Sequence, residues 1–78
     1  MPVLISEHDI DIGRGNRVIV RVEKTDCGEG VLVSRTTIIN GKKRVHCSGH
    51  CGENWYYWEC PDGHTCLLNC NPLKMGCT

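Results

Sequence analysis

Six of the seven cysteines lie between Cys47 and Cys77, spaced Cys47-x3-Cys51-x8-Cys60-x5-Cys66-x3-Cys70-x6-Cys77, while Cys27 stands alone upstream. This density constrains the fold more than any other feature. A chain of 78 residues buries only roughly 60% of the surface its unfolded form exposes. Its apolar core alone supplies little stability, so small scaffolds recruit staples. Here the shortage is acute: Phe and Ala are absent, and the four aromatic residues are consecutive, Trp55-Tyr56-Tyr57-Trp58. A short, cysteine-dense chain with so thin an apolar supply reads as a disulfide scaffold.

Seven is odd, so one cysteine is unpaired or bridges to another molecule, and the connectivity stays open. Cysteines separated by three residues in non-helical chain rarely bond each other, so Cys47 and Cys51 are expected to pair elsewhere. Cys27 is expected to tie the N-terminal part to the cysteine-rich part, leaving the odd thiol among Cys47, Cys51, Cys60, Cys66, Cys70 and Cys77, or in an intermolecular bridge.

The missing alanine, the best helix former, argues against helix. Glycine, Val, Ile and Thr favour strands and turns. Residues 3–12 alternate imperfectly, as in a short edge strand, and Gly13-Arg14-Gly15-Asn16 is a turn. Residues 17–24 alternate well, with Val18, Val20 and Val22 on one face and Arg17, Ile19, Arg21 and Glu23 on the other. That period predicts a strand with one buried face. Residues 31–39 form a second strand. Asn40-Gly41 is a strong hairpin signal, because a type I′ turn needs positive φ at both central residues. Residues 42–47 return as a third strand, 55–60 suit a fourth, and the last eighteen residues read as a looped segment held by cysteines. The expected fold is small, disulfide-rich and mainly β. A three-stranded antiparallel meander (1–46) is joined to a cysteine-rich, loop-dominated half (47–78), and the two form layers of one domain.

A rival for the cysteines is zinc, which thiolate and imidazole suit. His46, His50 and His64 stand among the six clustered cysteines, and Cys47, Cys51, Cys66 and Cys70 would make the ligand set. That alternative describes a cytosolic, zinc-stabilised small domain with a regulatory or assembly role. The i, i+4 pair His46 and His50 is separated by Ser48 and Gly49, which do not favour the helix a metal pair would need.

Nine basic and nine acidic residues cancel, which disfavours a nucleic-acid partner. No segment has the roughly 20 apolar residues of a membrane helix, and no membrane partner is expected. The N-terminus lacks a basic start followed by an apolar run; with this many cysteines, the expectation is a secreted chain whose signal has been removed, Met1 being an expression start. Catalysis is not expected. His46 beside Cys47 resembles an activated thiolate pair but no third group orients it, and cysteines in such clusters are structural. Glu53 and Glu59 read as surface carboxylates.

Two features suit recognition. Trp55, Tyr56, Tyr57 and Trp58 cannot all face one core, and exposed Trp and Tyr are favoured at interfaces. Lys42, Lys43 and Arg44 form a basic hairpin tip able to meet an acidic patch or a trypsin-like protease.

The run Cys60-Pro61-Asp62-Gly63-His64-Thr65-Cys66 with Gly76-Cys77 resembles a piece of a granulin repeat, although Leu67 stands where a paired cysteine would fall. More broadly, a meander with an Ile38-x-x-Gly41 hairpin, spaced cysteines, a Trp-containing stretch and a terminal Gly-Cys resembles the small cysteine-rich salivary proteins of ticks with a von Willebrand factor type C-like fold. The tight Cys-x-x-Cys-x-Cys element of that fold is absent. The resemblance implies a secreted binder of host defence proteins. The combined expectation is a secreted, disulfide-stabilised binding or inhibitory module without cofactor, acting on an extracellular protein as a monomer or disulfide-linked dimer.

Overall fold

The computed structural model describes residues 3–25 and 29–78. They form seven strands and no helix: β1 (Val3–Gly13), β2 (Asn16–Lys24), β3 (Gly30–Ile39), β4 (Lys42–Cys51), β5 (Asn54–Cys60), β6 (Cys66–Cys70) and β7 (Leu73–Cys77). The first five make one antiparallel sheet in chain order, and β6 pairs with β7 in a second. The meander therefore has five strands, and its sheet runs unbroken through residues 46 and 47. The expected C-terminal loop contains a sixth and a seventh strand.

The turns follow from residue chemistry. Arg14 and Gly15, at φ 57° and 76°, link β1 to β2, and Asn40 and Gly41, at 51° and 76°, link β3 to β4. Positive φ at both central residues matches the right-handed twist of the flanking strands.

Register decides which side chains share a face. Cys47 pairs with Ser34 and Trp58, and Val45 with Thr36 and Cys60. Ser34 pairs with Arg21, and Arg21 with Glu7. One face therefore carries Arg17, Ile19, Arg21 and Glu23 from β2, Leu32 from β3, and Val45, Cys47 and Gly49 from β4. The β6–β7 hairpin lies on this inner face, at its β3–β5 end. Three disulfides fix it there: Cys47–Cys66, Cys51–Cys70 and Cys60–Cys77. None of these six cysteines is left over. Cys27, expected to tie the two halves together, lies outside the described residues. The cross-links pair β4 with β6 in the same chain direction and β5 with β7, so the second layer sits hairpin upon hairpin.

The core between the layers is Leu32, Val45, Cys47, Cys60 and Leu68, with Trp58 and Cys66 packed against it. A buried aliphatic side chain contributes roughly 1.5–3 kcal/mol, and three of them cannot offset the conformational entropy of so many ordered residues. Each disulfide adds about 3 kcal/mol by restricting the unfolded chain. The layers meet closely where side chains are small. A Cβ on Gly49 would lie 2.6 Å from Leu68 Cδ2, and one on Gly30 would lie 2.3 Å from Cys70 Sγ. Leu68 thus seats over the bare backbone of Gly49.

The valine face is not the covered one. Val18, Val20 and Val22 lie on the opposite side of the sheet from the hairpin. On β2 the three valines are half-buried and Arg17 and Arg21 exposed, yet it is the arginine-bearing face that looks toward the second layer. The cross-links decide this, because they place the hairpin on the face of Cys47, Cys51 and Cys60. Beyond the hairpin, the inner face at the β1–β2 end holds ion pairs. Arg17 Nε donates to Asp9 Oδ1 at 3.0 Å, and Arg21 sits 3.0 Å from Glu23. The Asp9 carboxylate, by hydrogen bond and then by charge, raises the Arg17 pKa above its ordinary value.

Candidate binding face

Among the described residues, no element covers the outer face of the five-stranded sheet. Its rows follow from the registers. One row runs Lys24, Val31, His50, Trp55, and the next runs Ser6, Val22, Val33, Ser48, Tyr57. A third holds His8, Val20, Arg35, His46 and Glu59; a fourth holds Ile10, Val18, Thr37 and Arg44. Ile39 and Lys42 face each other beside the hairpin turn. The centre is valine-rich, the β5 edge aromatic, and the β3–β4 side basic.

The aromatic run divides between the faces. Tyr56 pairs with Gly49 and Trp58 with Cys47, so both belong to the covered face. Trp58 Nε1 donates to the Gly76 carbonyl at 2.8 Å, which gives its only polar atom a partner and ties β5 to β7. Trp55 and Tyr57 project outward, 56% and 76% exposed. Their rings stack at a centroid distance of 6.4 Å and 16° between planes, and His50 packs against Trp55 at 4.7 Å. The four aromatics do not share one face, and alternation identifies Trp55 and Tyr57 as the exposed two. A hollow of about 420 Å³ opens beside them, lined by Val20, Val33, Arg35, His46, Ser48 and Tyr57 among others.

The basic tip divides likewise. Lys42 and Arg44 lie on the outer face. Lys43 pairs with Ile38 on the inner face and reaches to 3.9 Å from Asp62 Oδ1. Arg35 joins the outer basic group, a residue that sequence reasoning did not single out. The signal was available: Arg35 is in phase with Val31 and Val33, which mark the outer face of β3.

The remaining candidates are placed as follows. His46 and Cys47 are neighbours in sequence but point to opposite faces, and Cys47 is bonded to Cys66. Cys47, Cys51, Cys66 and Cys70, the set considered for zinc, make two disulfides, and as disulfides they offer no thiolate. The sulfurs of Cys47, Cys60 and Cys66 lie within 4.8 Å of one another because two disulfides sit side by side, with Cys47 and Cys60 sulfurs 3.4 Å apart. His64 is exposed, its Nδ1 against the Thr78 carbonyl. Glu59 lies on the outer face beside His46, and Glu53 is exposed between β4 and β5.

Fold and cross-links together define a small, disulfide-rich, all-β domain. Three intramolecular disulfides are compatible with an oxidising environment. No protein-family model matches the chain, and neither a curated protein nor a solved structure matches it significantly.

Proposed function

We propose that this chain is an extracellular binding module that engages another protein through the outer face of its five-stranded sheet. The observation that carries this reading is the stacked, exposed pair Trp55 and Tyr57 beside a row of outward valines. Large aromatics burying both faces of their rings are the typical anchors of protein interfaces, and contiguous apolar surface left open on a soluble domain marks a contact site. The opposite face carries the structural burden of disulfides and core, which leaves the outer face free of it. Dense disulfides suit a small domain working outside the cell, and the salivary-protein resemblance supports an extracellular protein as partner. The activity proposed is binding, and inhibition follows where the contacted surface is one the partner uses.

The test compares wild type with Trp55→Ser/Tyr57→Ser and with Asp9→Asn as a remote control, each immobilised with disulfides intact and exposed to extracellular fluid. A protein retained by wild type and Asp9→Asn but lost by the double variant supports the reading. Equal retention by a double variant of unchanged circular dichroism removes it.

A further inference from the structure

We infer that the outer face is built for an acidic protein segment, one with an apolar centre rimmed by carboxylates. This rests on the reading of that face as the binding surface. The chain is neutral overall, but its two sheet faces are not. Register places Lys24, Arg35, Lys42 and Arg44 on the outer face, where the described carboxylates are Glu59 on β5 and Glu29, which lines a hollow beside Lys24 and His50 at one end. On the inner face of β1 and β2, the carboxylates Glu7, Asp9, Asp11 and Glu23 outnumber Arg17 and Arg21. The sheet therefore separates charge that the linear sequence cancels.

The arrangement selects among occupants. A second copy of this chain, seated face to face, would bring two faces of the same net positive charge together, and juxtaposed like charges disfavour a complex. A polyanion would be held by a continuous basic track. Here the cations flank valines and a stacked Trp–Tyr pair, which gain only from apolar contact. An apolar centre with a charged rim is the anatomy of a protein–protein interface. Arg35 and His46 lie in adjacent positions of one row beside the hollow, with Glu59 beyond His46 at the β5 edge, so a partner carboxylate seated at the Arg35 side meets a guanidinium at the edge of apolar contact.

The probe is a synthetic twelve-residue peptide alternating Glu with Leu and Tyr, alongside a Gln-for-Glu version, a Lys-for-Glu version and heparin. Binding is followed by surface plasmon resonance on the disulfide-intact protein. The Glu peptide is expected to bind, to weaken with added salt, and to lose about tenfold or more in association rate with Arg35→Glu/Arg44→Glu, since rim charges act mainly on encounter. The same peptide is expected to lose affinity with Trp55→Ser/Tyr57→Ser. Binding of the Gln or Lys peptide as tight as that of the Glu peptide, still sensitive to the aromatic variant, overturns the acidic partner while leaving the binding face standing. Heparin binding without Glu-peptide binding overturns the protein commitment in favour of a polyanion. Binding of no peptide, or binding indifferent to Trp55 and Tyr57, overturns this inference, and indifference with a natural partner in hand removes the face as well. Unchanged amide spectra of each variant establish that the fold is retained.

Discussion

Replacing Gly30 by Ala tests the tightest approach between the two layers. The added Cβ would sit 2.3 Å from Cys70 Sγ, 2.8 Å from the His50 carbonyl oxygen and 3.0 Å from Thr25 Oγ1. Ordinary contact needs more than 3.4 Å, so the sulfur must retreat by more than an ångström. It cannot do so alone, because Cys70 is bonded to Cys51 and Cys51 pairs directly with Gly30 in the β3–β4 ladder. The carbonyl closes the other side. Overpacking typically costs 1–3 kcal/mol, and with a tethered sulfur and a fixed backbone atom both in the way, about 3 kcal/mol is expected. For a domain of this size each kcal/mol lowers the melting temperature by about 4–8 °C, so Gly30→Ala should melt roughly 12–24 °C lower than wild type. The assay is thermal unfolding by circular dichroism under non-reducing conditions. Gly76→Ala is the control, because a Cβ there meets nothing within 4 Å. Equal melting temperatures for the two variants would refute the close seating of β6 on β3 and β4.

Other consequences can be measured directly. Non-reducing peptide mapping should recover Cys47 linked to Cys66, Cys51 to Cys70 and Cys60 to Cys77; any other pairing among the six contradicts the stacked hairpins. Replacing Cys51 and Cys70 together by Ala opens a loop of sequence separation 19 and should cost about 3 kcal/mol, read as a lower urea midpoint, whereas an unchanged midpoint would deny that bond. Acrylamide should quench Trp55 efficiently and Trp58 poorly, so Trp55→Phe leaves a shielded emission; easy quenching of that variant would mean that Trp58 is not under the β7 strand.

Much of the sheet was legible because local chemistry decides it. Asn40-Gly41 and Arg14-Gly15 set two hairpins, and the alternation of residues 17–24 set β2. What alternation cannot state is which face receives the second layer. Val18, Val20 and Val22 look like core, and in many sheets they would be. Here Cys47, Cys51 and Cys60 bring the hairpin to the other face, and the valines are left outward. The second layer was harder to see because Cys66-Leu67-Leu68-Asn69-Cys70 is short and lies among turn residues. A signal was nonetheless present. Cysteines four apart share one face of a strand, so Cys47-x3-Cys51 and Cys66-x3-Cys70 can bond twice when two strands lie side by side in the same direction. The central residues fit this placement, Gly49 under Leu68. The separation of charge between the faces was invisible because it emerges only when five strands are put in register.

Among the described residues the three cross-links fall between β4 and β7, and none reaches β1 or β2. Under a stretching force applied at the two chain ends, the molecule should therefore behave as two materials in series. Strands β1 to β3 carry no cross-link among the described residues and would peel one after another like a zip. The extension would then stop at Cys47, where the covalent knot carries the load. Such a domain yields at one end and holds at the other.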